Sequence, residues 1–319
     1  MIHLFSKLGR RSLFGPGAGR QRLFMTTLVS GALAAGMLGM AGPANAAKQI
    51  SAEVASFETL IGRPQRLLVG LSDNDGNILS GGTVTFELQR SDASGPKVKA
   101  EAHFQPIALQ HDPGGPAKLR PPSKGLGVYA AQVNLPSVGY WDVNVKGPGI
   151  TAKAALLATD HAQIPNVGDA APKTQNLVMT TPKTPLQAID SRGGDGDKVP
   201  DPELHKTIIA DAIAAKRPLV IVASTPVYCQ SRFCGPVTDL VSKLAKKYPA
   251  VAFVHLEIWR DFEKKMINKG AAEWMLPKNG DEGHEPWVWL VGRNGKIVAR
   301  FDNVVGDSEL EAAVKKLAA

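Results

Sequence analysis

TPVYCQSRFCGPV, residues 225–237, holds both cysteines of this 319-residue chain, Cys229 and Cys234. Four residues separate them, and Gly235-Pro236 follows the second. Before the stretch, Leu219 to Ala223 is a continuous apolar run, the pattern of a strand buried on both faces. After it, Val237, Leu240, Val241 and Leu244 recur at helical spacing. The cysteines therefore belong to a strand-to-helix loop, with Cys234 at or next to the helix N-cap and Pro236 in the first turn. The unpaired amides and the positive end of the helix dipole favour a thiolate there, Arg232 adds to that, and Cys229 is the partner. A zinc site is excluded, because two further ligands are missing at usable spacing.

Outward from the loop, helix and strand alternate. Asp201 is placed to cap a helix with Pro202 in its first turn and Leu204, Ile208, Ala212 and Ile213 on one face, which puts His205 on the helix surface. Lys216 and Arg217 suit that helix's C-terminal end. Val251 to Ile258 reads as a second strand, with His255 as a core or edge histidine. Val288–Val291 and Lys296–Phe301 flank Arg293-Asn294-Gly295, a hairpin turn signal. Ser308 and Glu311 have the spacing of a capping box for a last helix carrying Leu310, Val314 and Leu317. Trp259, Trp274 and Trp289 are read as core, and Trp287 as lining a groove that faces the thiols.

The first 46 residues have a different character. Lys7, Arg10, Arg11, Arg20 and Arg22 precede an apolar run from Leu23 to Met40, and Ala44-Asn45-Ala46 supplies a cleavage signature. This is the layout of a secretory signal peptide, expected over 1–46. Taking these five leader charges from the formal +8 leaves about +3 for the rest of the chain. No basic block remains to follow a phosphate backbone, so nucleic-acid binding is not expected. Export to a periplasm or beyond also places the two cysteines where pairing is the default. Membrane contact is expected only if the N-terminal segment stays uncleaved.

Residues 47–157 read as β-structure. Alternation is clear in Val84–Leu88, Val128–Leu135 and Tyr140–Val145, with turn signals at Asp73–Asn77, Gly81-Gly82, Pro113–Gly115 and Pro148-Gly149. Short strands with no helical stretch between them describe a small antiparallel sandwich. His103 and His111 read as solvated loop histidines. The string GVYAAQVNLPSVGYWDVNV, residues 127–145, resembles the closing strands of immunoglobulin-like modules of the YtkA type on exported bacterial proteins. Residues 158–200 are linker-like, with DSRGGDGDK at 190–198 the most loop-like part.

The order from residue 201, which is helix, strand, cysteine loop, helix, strand, helix, hairpin, helix, resembles a thioredoxin-like domain over 201–319. IPNVGDAAP, residues 164–172, is similar to the lead-in of redoxin domains. The fold class expected is thus an all-β immunoglobulin-like sandwich followed by an α/β thioredoxin-like fold. The resemblance implies a cis-proline at Pro286, in Glu285-Pro286-Trp287, facing the cysteines. It offers two alignments. Cys234-Gly235-Pro236-Val237 lies over the family's C-G-P-C, with Val237 in place of a resolving cysteine. Alternatively, Tyr228-Cys229 lies over the family's aromatic-cysteine pair. The acid that thioredoxins bury in the strand before the site has no counterpart in Leu219 to Ser224.

Three functions are carried forward. The first is an exported thiol–disulfide oxidoreductase acting through Cys229, Cys234 and Pro286 on protein thiols or disulfides of other exported proteins, without a cofactor. The second is a copper-binding assembly factor resembling the Sco type, with Cys229, Cys234 and His284 as ligands, a donor set that suits copper better than harder ions. The third is a binding protein whose disulfide is structural.

Overall fold

A computed structural model describes residues 49–107, 117–122, 126–194, 198–229, 231–280 and 282–319. The expected signal peptide, His111 and the turn at Pro113–Gly115 lie outside the described residues. Residues 47–319 form one compact unit. Among the described residues no helix is long and apolar enough to cross a membrane.

Among the described residues ten strands make the N-terminal half: β1 (Ile50–Val54), β2 (Thr59–Leu60), β3 (Gln65–Asp73), β4 (Ile78–Ser80), β5 (Thr83–Arg90), β6 (Val98–Pro106), β7 (Lys118–Arg120), β8 (Gly127–Val133), β9 (Gly139–Gly147) and β10 (Ile150–Thr159). They hydrogen-bond in the order β2-β10-β9-β5-β6-β8-β3-β4-β7, with β1 on β3. The path folds back on itself, so that β1 lies against β10. Period-two alternation dictates which face closes the core. Along β9, Trp141, Val143 and Val145 point inward while Tyr140 and Asp142 face out. They meet Phe86 and Leu88 of β5 and Leu67 and Val69 of β3 in one cluster. Tyr129, wholly buried in that cluster, donates its hydroxyl to the Gly81 carbonyl at 2.7 Å. Tyr129→Phe strips that carbonyl of its partner and is expected to cost about 1–2 kcal/mol in urea unfolding.

The C-terminal half is an α/β layer. Its sheet runs in the order β12 (Ala252–Glu257), β11 (Leu219–Ser224), β15 (Trp287–Val291), β16 (Ile297–Asp302). β11 and β12 are parallel, and the other two pairs are antiparallel. A two-strand ribbon, β13 (Trp259–Asp261) with β14 (Met266–Ile267), follows β12. Every residue of β11 is buried, as expected of its apolar run. Val220, Val222, Val288 and Leu290 face α2 (Cys234–Lys247) and α4 (Asp307–Ala318). Leu219, Ile221, Trp287 and Trp289 face α1 (Ile209–Ala214) and α3 (Lys269–Met275).

The expected hairpin forms, with Gly295 at φ 72° in its turn. Three local expectations fail. The single helix from Asp201 is instead a 3-10 turn, Pro202–Leu204, followed by the separate α1. Asp201 sits at φ 45° without capping, and its carboxylate instead accepts the Ser242 hydroxyl at 2.6 Å. The capping box is absent: α4 starts at Asp307 after Gly306, and Glu311 pairs with Lys247 and the Tyr248 hydroxyl.

The segment 158–194 supplies Ile164 and Ala171 to the α1/α3 side of the core, and Trp289 donates its indole N–H to the Pro165 carbonyl. The two halves meet through a smaller cluster of Leu68, Val128 and Ala130 with Val304, against which Ala55 and Phe233 pack. Phe233 immediately precedes Cys234, so the β-structure braces the cysteine loop from behind.

Candidate functional site

β11 ends at Ser224, and its hydroxyl pairs with that of Thr238 at 2.7 Å. Thr238, one turn into α2, in turn donates to the Cys234 carbonyl at 2.7 Å. These bonds fix where the strand stops and the helix starts. Between them the loop carries Cys229 and Cys234, which form a disulfide with Cα atoms 6.0 Å apart. Cys234 is the first residue of α2 and is wholly buried; Cys229 is half-buried.

The exposed side of the disulfide is therefore Cys229. Its sulfur accepts the Cys234 N–H at 3.4 Å, one of the free amides of the helix terminus, and lies 3.3 Å from the Ser231 hydroxyl. Ser231 also donates to the Glu285 carbonyl at 3.3 Å, which ties the loop to the chain entering β15. The Glu285–Pro286 peptide bond is cis, as the thioredoxin resemblance implies, and Pro286 is buried.

The third side chain at the sulfurs is an acid. One carboxylate oxygen of Glu285 and both sulfurs lie within 4.8 Å of one another. Burial, and then the nearby Glu257 charge, push the Glu285 carboxyl up to about 7. Glu257 closes β12 opposite Ser224, is buried, and accepts the Ser191 N–H at 2.7 Å. Burial raises its carboxyl also. Two acids thus stand by the cysteine loop, buried Glu257 at the end of β12 and half-buried Glu285 across the loop.

His284, the imidazole expected in a copper set, is exposed and stacks on Phe57 with ring centroids 5.0 Å apart. Among the described residues Glu285, not His284, completes the three-ligand group with the two sulfurs. Trp287 is buried between Phe57 and Trp289, in the core instead of along a groove facing the thiols. Trp259 is only half-buried and meets Phe262 edge-on. His103 is exposed on β6 beside Glu101.

Behind the disulfide lies a second cluster that the sequence did not reveal. Asp190, wholly buried, takes Arg192 through Nε at 3.0 Å and Nη2 at 2.7 Å. His205 Nε2 and His255 Nδ1 stand 3.3 and 3.4 Å from its Oδ2, the oxygen that also takes Arg192 Nη2. His205 is thus buried, not on a helix surface, because the chain turns inward after the 3-10 turn. His255 Nε2 donates to the Ser224 carbonyl at 3.1 Å, the same residue that anchors α2. Burial alone would raise Asp190, but His205, His255 and Arg192 outweigh it and hold its carboxyl well below the usual range. Burial lowers His205, whereas hydrogen bonding and charge from Asp190 overcome burial at His255 and raise it. Of the two imidazoles, His255 is thus the one whose charged form the cluster favours. With Arg192 already on the carboxylate, the trio is a buried ion network and not an open metal cage.

No protein-family model matches this chain, and no curated protein does. Among solved structures it is similar to the filamin domain of Lin-41, an immunoglobulin-like domain, at 18% identity and a TM-score of 0.23. The match covers 36% of this chain and 96% of that domain.

Proposed function

We propose that the protein is an exported, thioredoxin-like thiol–disulfide oxidoreductase whose N-terminal immunoglobulin-like module braces the redox loop. The observation that carries this reading is the half-exposed Cys229 sulfur. It stands at the mouth of a strand-to-helix loop, beside a cis Glu285–Pro286 bond, with a helix-terminal amide and a hydroxyl as its neighbours. Those donors stabilise a thiolate once the bond opens. Exchange proceeds by attack of an incoming thiolate on one sulfur of the disulfide. Cys229 is the sulfur such a thiolate can reach, and Cys234, wholly buried, is the resolving partner. This favours the alignment of Tyr228-Cys229 with the family's aromatic-cysteine pair over the alignment centred on Cys234.

A polypeptide substrate fits the surroundings. Val227 is 54% exposed and Met266 46%, and Tyr228 stacks on Phe262 with centroids 3.9 Å apart. Apolar groups at the rim suit an extended chain presenting a cysteine. Equilibrating the native protein in glutathione buffers of defined potential, with trapping of free thiols, tests the reading. The disulfide is expected to open and close reversibly, and a Cys234→Ser variant to accumulate a mixed disulfide at Cys229 with a cysteine-containing peptide. A bond that stays closed in the folded protein under strong reduction would leave it structural and overturn the proposal.

A further inference from the structure

We infer that Glu285 is the proton carrier of the exchange reaction, giving a proton to the departing Cys234 sulfur and taking one from the substrate's second thiol. The inference rests on the redox reading above. Its basis is position. The carboxylate is the one acid among the described residues with an oxygen within 4.8 Å of both sulfurs, close enough for a small side-chain adjustment to bring it to either cysteine. Its backbone carbonyl is held by Ser231, the residue whose hydroxyl also lies against Cys229, so loop and acid move as one piece.

Burial makes the choice of proton state consequential. Cys234 is wholly closed to water, and a thiolate leaving there has no solvent to supply its proton. Glu285 is half-buried and can reload from outside. The groups facing it are Glu257 at the end of β12 and the two cysteines of the loop and α2. Glu257 is held by the Ser191 and Trp259 amides at 2.7 and 3.2 Å and lies near the charge of His255. The chain neighbour of Glu285, His284, is turned onto Phe57, and Arg232 on the loop is exposed. Burial first, and the Glu257 charge second, push the Glu285 carboxyl up to about 7, near neutral pH, where a general acid is most useful.

The step balances as follows. One thiol of a substrate dithiol, ionised in water, attacks Cys229; a substrate–Cys229 bond forms and the Cys229–Cys234 bond breaks. Cys234 leaves with the electron pair and takes the Glu285 proton, becoming a thiol. The Glu285 carboxylate then accepts the proton of the substrate's second thiol. That sulfur attacks the first substrate sulfur, forms the substrate disulfide and releases Cys229 as a thiolate, which is protonated from water. The substrate dithiol is oxidised by two electrons and the protein disulfide is reduced by two, with no other reactant.

The test is the rate at which dithiothreitol reduces the native disulfide between pH 5 and 9, divided at each pH by the reductant's thiolate concentration. For the natural chain this normalised rate is expected to fall as pH passes about 7, where Glu285 loses its proton. Glu285→Gln is expected to flatten the profile and slow the plateau about a hundredfold, the low end of the usual range for acid–base groups. Glu285→Asp should restore part of the inflection. A folded Glu285→Gln protein with the natural chain's profile and rate overturns the inference while leaving the redox reading intact. A disulfide in the natural chain that no reductant opens overturns the reading itself. Should Glu285→Gln fail to fold, carbon-13 titration of glutamate carboxyls in the natural chain decides. Different Glu285 midpoints in the oxidised and reduced forms support the carrier, and identical ones overturn it.

Discussion

Asp190→Ala is expected to destabilise the protein by about 3–5 kcal/mol, the usual cost of breaking a buried charge network from one side. Asp190 is wholly buried and is the one anion shared by Arg192, His205 and His255. After its removal Arg192 keeps Asp201 and Asp239 near the surface, at 2.8 and 3.1 Å. His255 keeps the Ser224 carbonyl and the charge of Glu257 but loses its largest support against burial, so its imidazole falls back from the raised value. The sign of the pH dependence follows. The folded Asp190 carboxyl is depressed, so its contribution is present above the unfolded value of about 4 and fades as pH falls toward the folded one. The folded His255 is raised, so its contribution is present below about 6.5 and fades as pH rises through the folded value. Both are complete only in the window between, so the deficit of Asp190→Ala is expected to peak near pH 5–6 in urea melts. Asp190→Asn, which keeps an acceptor oxygen without the charge, should fall between the two. A deficit below about 1 kcal/mol at that pH would mean that the network contributes little to folding.

How such a network escapes a reading of the sequence is instructive. Asp190 stands in DSRGGDGDK, a stretch whose glycines and charges have every local mark of solvent. Its burial is decided by His205 and His255, partners 15 and 65 residues further along, and no periodicity records that pairing. His205 was misplaced because the apolar spacing of Leu204, Ile208 and Ala212 implies one continuous helix. Pro202 instead closes a 3-10 turn, and the chain re-enters the core before α1 begins. Glu257 had a detectable signal: an acid ending the run Ala252–Glu257, apolar but for His255, will share that strand's burial. What could not be read is that β12 pairs parallel to β11 in the register Ser224 to Glu257, and so brings the acid beside the cysteine loop. The loop itself was legible, because strand and helix are each set by patterns a few residues long. Its junction has no other geometry to adopt. Pro286 was legible only through the thioredoxin resemblance. Glu285, its neighbour, was passed over because an acid between His284 and a proline has no local mark of burial.

Arg66→Ala is the second large effect, and it strikes the joint between the two halves. Arg66 projects from β3 with its side chain 8% exposed. It reaches Glu309 of α4 at 2.7 and 2.8 Å, donates to the Val304 carbonyl at 2.7 Å, stands 3.6 Å from Asp302 and covers the Phe301 ring at 5.4 Å. Asp302 is buried, and accepts the Phe57 N–H at 2.8 Å from the β-structure side. Burial already raises its carboxyl against the pull of Arg66 and Arg300. Removing Arg66 therefore leaves a buried carboxylate with one fewer cation, and a loss of about 3–5 kcal/mol is expected. Because the folded Asp302 is raised, its charged form is a cost above the folded value, relieved as pH falls through it. The deficit of Arg66→Ala should thus shrink on acidification toward about pH 4, as on the acid limb of Asp190→Ala, but without that variant's decline on the alkaline side. The functional consequence is separable from the thermodynamic one. Phe233 packs in the small cluster that this joint holds closed, and it is the residue before Cys234. If the β-structure braces the cysteine loop, Arg66→Ala should speed hydrogen exchange of the Phe233 and Cys234 amides well before global unfolding. If those amides remain as protected as in the natural chain, the two halves are joined for stability alone.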